Sequence, residues 1–245
     1  MIINILGLLL LLLLLHIITT KSQLAIVGHY KVYHDCFALV LCRYIQLPQP
    51  ADYEQLAMNL QSPDDQTHVN CYKVILYIDG FIVRIQRPDR AGDAYFCGRH
   101  GKSCDSINVQ LITDKSGTIR HIITGLAGSA HDKTAAAWSV PFRQFLDALP
   151  DNYVVLADAA YRGLHPRVIT PVHHRQPLNV DQQAYNDACT RIRQIVERSI
   201  GATELKWRIQ QLKENRIAAK KGVTFAAQCT IAAAVLHNRF TNFLQ

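Results

Sequence analysis

From residue 71 onward the chain alternates between short continuous apolar runs and longer stretches of helical periodicity. Val74-Ile75-Leu76-Tyr77-Ile78 is a β-prone run of the kind that forms a strand buried on both faces, and Asp79-Gly80 ends it. A second β-prone stretch, Phe81 to Ile85, comes next, and then a polar, glycine-rich segment from Arg87 to Ser103 that reads as a surface loop. Ile107 to Thr113 and Ile119 to Thr124 are two further strands, joined by the hairpin signal Asp114-Lys115-Ser116-Gly117. Ala130 to Leu149 is helical and is closed by Pro150, and the apolar strand Tyr153 to Ala157 runs straight into Asp158. Val168 to Val172 reads as one more strand. From Gln182 to Leu212 the pattern is helical, with Ile192, Ile195, Val196 and Ile200 as its apolar stripe, and the Ala-rich Thr224 to Leu236 is a buried helix. Strands first, then helices with a further strand between them, describe an α/β sheet with helices packed on it.

The chain before residue 71 has a different pattern. Ile2 to Ile18 is apolar apart from Asn4 and His16, as in a signal-peptide h-region or a short membrane anchor, but no Lys or Arg precedes it. A misplaced start or translated flanking sequence is the competing reading. Tyr30 to Ile45 has helical spacing and stops at Leu47-Pro48-Gln49-Pro50, and Ala51 to Leu60 is expected as a second short helix. The chain therefore divides into a hydrophobic segment (1–20), a helical remnant with a linker (21–66) and the main α/β domain (67–245).

Composition excludes wholesale disorder, collagen and coiled coil, since 49% of the 245 residues are hydrophobic and 18% are charged. The net charge of +7 is unevenly spread: Ala159 to Gln245 holds 13 Lys and Arg against 5 Asp and Glu, whereas Met1 to Asp158 holds 13 against 14. The basic C-terminal part suits a polyanionic partner. Seven cysteines include no C-x-x-C pair. The spacing of Cys97, His100 and Cys104 matches no zinc site, so these two cysteines read as loop thiols.

Three carboxylates point to a chemistry. Asp79 ends the first core strand, where Asp-Gly is also the favoured two-residue hairpin turn. Asp158 ends a second strand, where an Asp also serves as an N-cap. Glu197 lies on the long helix, four residues after Arg193, as an ordinary helix ion pair would. Together, two acids at strand ends and one on a later helix can converge at a sheet edge, where ligands bind. Such a trio suits two Mg²⁺ ions acting on a phosphodiester, with the basic C-terminal part cancelling phosphate charge.

With these acids in place, the motifs around them become recognisable. The chain resembles the DDE superfamily endonucleases derived from PIF/Harbinger transposons. The likeness rests on Ile78-Asp79-Gly80-Phe81 with Ile85-Gln86-Arg87-Pro88; Asn108-Val109-Gln110 with Asp114 and Gly117; Gly128-Ser129-Ala130-His131-Asp132; and Leu156-Ala157-Asp158-Ala159-Ala160-Tyr161. It continues through Thr170-Pro171, Arg193 to Glu197, and Leu236-His237-Asn238. The resemblance implies an RNase H-like mixed sheet flanked by helices and a DDE triad of Asp79, Asp158 and Glu197 that binds Mg²⁺ or Mn²⁺. It also implies DNA as substrate, a nuclear location that the leucine run leaves open to secretory or membrane targeting, and His131 and Asp132 as accessory residues, with a plain helix N-terminus as the alternative for Asp132. The charge distribution adds Arg191, Arg193, Arg198, Lys206, Arg208 and Lys213 as nucleic-acid contacts. Two departures stand out. The family's helix-turn-helix region has only the Tyr30 to Ile45 helix in its place, which leaves room for a separate DNA-binding protein or a homo-oligomer to supply specificity. The family's Gly-x-x-Lys becomes Gly201-Ala202-Thr203-Glu204. An inactive, domesticated transposase that only binds DNA or protein is the alternative function.

Overall fold

The computed structural model describes residues 44–63, 71–88, 92–98, 103–173, 177–207 and 217–241. The leucine run, His100, Arg208, Lys213 and all but the end of the expected Tyr30 to Ile45 helix lie outside the described residues.

A 3-10 turn, Pro50–Asp52, leads into a one-turn helix α1 (Tyr53–Leu56). The expected Ala51 to Leu60 helix stops there, because Met58–Gln61 is strand β1, drawn into an antiparallel ladder with β2 (Cys71–Arg84). Residues ahead of position 67 thus share the two cores of the α/β domain: Ile45 and Leu60 pack in one, Tyr53 and Leu56 in the other. The polar stretch after β2 holds a short helix α2 (Gly92–Tyr95) and strand β3 (Phe96–Cys97), which pairs with β4 (Cys104–Thr113). Cys97 and Cys104 are therefore buried ladder partners and not loop thiols.

β4 turns through the expected hairpin into β5 (Ile119–Ala127). Asp114 makes that turn by accepting from Ser116 N, Ser116 Oγ and Thr118 N, while Arg120 pairs with its other oxygen at 2.7 Å. Gly117 completes the hairpin with φ +81°, a conformation that favours glycine. The expected Ala130 to Leu149 helix is two helices, α3 (Asp132–Ala137) and α4 (Val140–Ala148). The break falls at Trp138-Ser139, where Ser139 caps α4 and Pro141, which has no N–H, sits in its first turn. β6 (Tyr153–Leu156) and β7 (Val168–Ile169) come next, and then two long helices, α5 (Val180–Trp207) and α6 (Ile217–Thr241).

β5, β4 and β2 are antiparallel neighbours, and β6 and β7 continue from the other edge of β2, parallel to it. This curled mixed sheet with helices on both faces is RNase H-like, as the motifs imply. One face carries α5 and α6 over Tyr77, Val83, Leu111 and Leu156, and the other carries α1, α3 and α4 over Ile75, Ile78, Ile112 and Val155.

A bulge in β2 sets which side chains face which layer. Val74 pairs with Val154, but the next partners are Leu76 and Val155, so β2 carries one extra residue there. Ile75 and Leu76 both face the α4 side as a result. From Tyr77 onward the odd-numbered positions, Tyr77, Phe81 and Val83, face α5, and Asp79 belongs to their row.

Candidate active site

Asp79 is a mid-strand residue. β2 runs unbroken from Cys71 to Arg84, with Asp79 opposite Leu111 and Gly80 opposite Gln110 in β4, so the Asp79-Gly80 hairpin turn is not formed. The glycine has another cause. A Cβ on Gly80 would come within 2.7 Å of Gln110 Nε2 and 2.9 Å of Asp132 Oδ1, which fill the space above it on the α3 side. Glycine lets the strand pass beneath a carboxylate.

β2 and β6 run parallel with Tyr77 opposite Leu156, so Asp79 and Asp158 each lie two residues beyond a paired position on neighbouring strands. Both belong to the α5 face, since Tyr77 and Leu156 do. β6 ends there because Asp158 caps the 3-10 turn Ala159–Tyr161, its Oδ1 accepting from Ala160 N at 2.8 Å. The capping reading of Asp158 and its place beside Asp79 are both met.

The third acid arrives from α5. Val196 and Ile200 bury one stripe of that helix, which brings Arg193 and Glu197, a turn apart, over Asp79. Arg193 Nη2 donates to Asp79 Oδ2 at 3.0 Å and lies 3.2 Å from Glu197 Oε1. The helix ion pair expected for Glu197 exists, and the same guanidinium ties it to the central strand. Asp79 and Arg193 side chains are each 17% exposed, whereas Glu197 is 50% exposed. Burial pushes the Asp79 carboxyl above the usual carboxylate range; Arg193 and the Gly80 amide, which donates at 2.8 Å, pull it back, and the charge of Asp158 adds to the rise.

Asp132 sits on the opposite face of the sheet from the Asp79 side chain, over Gly80. Its Oδ1 accepts from Asn108 Nδ2 at 2.8 Å and Gln110 Nε2 at 3.1 Å. Gln110 in turn accepts from the Tyr161 hydroxyl. Burial, and then the charges of Asp132, Asp79 and Asp158, hold the Tyr161 phenol well above its ordinary range, so it stays protonated and donates. His131 caps α3, its Nδ1 accepting from Lys133 N at 3.3 Å. Asn108, Gln110 and Tyr161 had no role assigned from the sequence beyond membership of motifs. Their signal was a pair of amides alternating with Ile107, Val109 and Leu111 along a fully buried strand, which demands partners.

The cations divide. Arg193 is at the acids, and Arg198 follows Glu197 on an exposed position. Arg191 lines a groove between β1 and the first half of α5, and Lys206 lies near the far end of α5, its Nζ 5.6 Å from the Trp207 ring centroid. Lys133 and Arg162, not singled out from sequence, come directly after Asp132 and Tyr161, and Lys133 Nζ donates to Arg162 O at 2.9 Å.

Among the described residues no group of three or more His, Cys, Asp or Glu side chains is closed around a metal position as it stands. The donor set of Asp79, Asp158 and Glu197 is nonetheless hard oxygen, the chemistry that Mg²⁺ takes, and a cationic guanidinium already bridges two of its members.

The fold is an RNase H-like sheet with Asp79 and Asp158 on adjacent central strands and Glu197 on the helix that covers them. The family model of the DDE superfamily endonucleases matches residues 78–238, and the chain belongs to that family. No curated protein and no solved structure gives a significant match.

Proposed function

We propose that this chain is a divalent-metal-dependent DNA endonuclease of the Harbinger transposon-derived branch, with Asp79, Asp158 and Glu197 as its metal-binding triad. The observation that carries the reading is the shared face: strand register puts Asp79 beside Asp158, and Arg193, 114 residues after Asp79, links it to Glu197. Divalent ions held there would activate the attacking water and stabilise the leaving oxygen of a phosphodiester. Asp79 would supply ligands from within the rigid β2 and Asp158 from the end of β6, and Glu197 one from the exposed side of α5, where DNA would approach.

The other residues prepare this arrangement. The Asn108–Gln110–Tyr161 network holds Asp132 on the far face and backs β2 at Gly80, so Asp132 acts as a supporting acid and His131 as a cap. Arg193 and Arg198, beside Glu197 on α5, are the phosphate contacts nearest the acids, and Lys133, Arg162, Arg191, Lys206, Arg208 and Lys213 are further basic residues for the polyanion. The substrate is nuclear DNA, and a separate DNA-binding protein or a second copy of the chain supplies sequence recognition. Incubating the purified chain with supercoiled plasmid and Mg²⁺ or Mn²⁺ tests the reading. Nicking that disappears in Asp158→Asn supports it; salt-sensitive DNA binding with no nicking under either ion would instead assign the chain as an inactive binding module.

A further inference from the structure

Arg193 is held in an arrangement that satisfies the acids better than it satisfies itself. A single nitrogen, Nη2, serves both Asp79 Oδ2 at 3.0 Å and Glu197 Oε1 at 3.2 Å. Its Nε is buried and, among the described residues, meets no acceptor. A buried guanidinium normally uses its fork of donors, and a donor left unmatched out of water is unfavourable. The side chain has little freedom to seek a better place, since it projects from the buried Val196–Ile200 side of α5 and Cys189, one turn earlier, is fully buried.

The acids need a counter-charge in this conformation. Asp79 and Asp158 lie on neighbouring strands at matching heights, and Asp79 is mostly removed from water. A divalent ion would draw on Asp79 Oδ2 and Glu197 Oε1, the oxygens that Arg193 now contacts, and the guanidinium charge between these two carboxylates repels a dication placed there.

We propose that Arg193 is a resident counter-cation of the metal site, a positioning residue that holds Asp79 and Glu197 together in the ion-free protein and must be displaced for a divalent ion to bind. This inference rests on the triad reading above. Once displaced, the guanidinium stays within one helical turn of Glu197, where an incoming phosphodiester oxygen supplies the acceptor its Nε lacks. Metal binding and DNA binding are then coupled through one side chain: the ion releases the cation that the phosphate takes up.

Calorimetric titration of the full chain with Mn²⁺ tests this, comparing wild type, Arg193→Gln, Arg193→Lys and Asp158→Asn, with melting curves to establish folding. Arg193→Gln should bind Mn²⁺ about ten-fold more tightly than wild type or better, because the ion no longer displaces a charge-assisted hydrogen bond to Asp79 and an ion pair to Glu197. Arg193→Lys, with fewer donors, should fall between them. In Mn²⁺, short duplex DNA should bind Arg193→Gln more weakly than wild type. A purely structural arginine would behave in the opposite way, since its loss would loosen the acids and weaken Mn²⁺ binding. Equal or weaker Mn²⁺ binding by folded Arg193→Gln, with wild type binding and Asp158→Asn not, overturns the counter-cation and leaves the triad standing. If Arg193→Gln does not fold, unchanged affinity in Arg193→Lys overturns it equally. Absence of Mn²⁺ binding in wild type and both Arg193 variants overturns the triad reading and this inference with it.

Discussion

Asn238, near the end of α6, grips both sides of Ile119 at the start of β5: its Nδ2 donates to Ile119 O at 2.7 Å and its Oδ1 accepts from Ile119 N at 2.7 Å. The same amide nitrogen reaches Tyr44 O at 2.8 Å, and the neighbouring His237 Nε2 lies 3.1 Å from Gly117 O. The Leu236-His237-Asn238 motif and the Asp114–Gly117 hairpin are therefore one structural joint, and the family match ends at the residue that closes it.

Asn238→Ala would leave the N–H and C=O of Ile119 buried and unsatisfied. A loss of about 2–4 kcal/mol is expected, at the level of two orphaned backbone groups. Asn238→Asp should be no better, because it keeps the acceptor but loses both donated bonds and buries a charge. Chemical denaturation checks both; a loss below about 1 kcal/mol would mean that the backbone finds other partners.

Gly80→Ala places a methyl group against Gln110 Nε2 and Asp132 Oδ1. Accommodating it should cost about 1–3 kcal/mol, as over-packing does in other interiors. Cleavage should fall along with the melting temperature, since the displaced groups support the strand that carries Asp79. A double variant with Asp132→Ala should recover stability without recovering activity, which separates the clash from the role of the acid.

The three acids should respond differently to neutralisation. Asp158→Asn keeps a good capping residue at the start of the 3-10 turn and removes a charge beside Asp79, so the metal-free fold should be as stable as before or slightly more so while nicking is lost. Asp79→Asn also relieves a carboxylate that burial opposes, but it takes the charge out of the Arg193 contact, so its gain should be the smaller of the two. Glu197→Gln, half exposed, should leave stability within about 0.5 kcal/mol of wild type. Melting curves recorded beside plasmid nicking check all three; activity retained in any one removes that residue from the triad.

Stability should also fall in acid through a residue far from the acids. His121 stacks on Phe142 and its Nε2 lies 2.9 Å from Ser139 Oγ, and burial pushes its pKa down to about 4 from 6.5. Unfolded chains take up a proton below pH about 6.5, and the folded protein does not until about pH 4. The contribution of neutral His121 is thus intact above the unfolded value and is lost as pH falls through this window, by about 3 kcal/mol at most. His121→Gln, which can still bond Ser139, should flatten the dependence between pH 7 and pH 4.5. Parallel curves for the two proteins would assign the acid sensitivity elsewhere.

Much of this architecture is legible in the sequence where local signals and tertiary pairing agree. The Ile107–Thr124 hairpin, the Tyr153 strand running into Asp158 and the long helix with its Ile192 to Ile200 stripe are of this kind, because each carries its own apolar period. Asp79-Gly80 misleads because the dipeptide is a turn signal in isolation, and the group that requires glycine there, Asp132, lies 52 residues away in sequence. Ala51 to Leu60 misleads because a four-residue edge strand is decided by its ladder with β2 and not by its own composition. The Trp138-Ser139 break was readable from Ser139 and Pro141. The Arg193–Asp79 contact was not, since only the packing of α5 on the sheet reveals that a helix-surface pair reaches the central strand.

The single extra residue between Val74 and Leu76 makes the active face a matter of counting as well as of chemistry. Downstream of the bulge, every side chain in β2 owes its direction to whether an odd or even number of residues precedes it in the ladder. Because Ile75 and Leu76 both face α4, removing Ile75 would take out the bulge and leave Val74, Leu76, Tyr77 and Asp79 on the faces they already hold, at the cost of one buried side chain. Past Leu76 the ladder is regular, so a one-residue insertion or deletion between Leu76 and Asp79 has no bulge to absorb it and would turn Asp79 toward α3, away from Asp158 and Arg193.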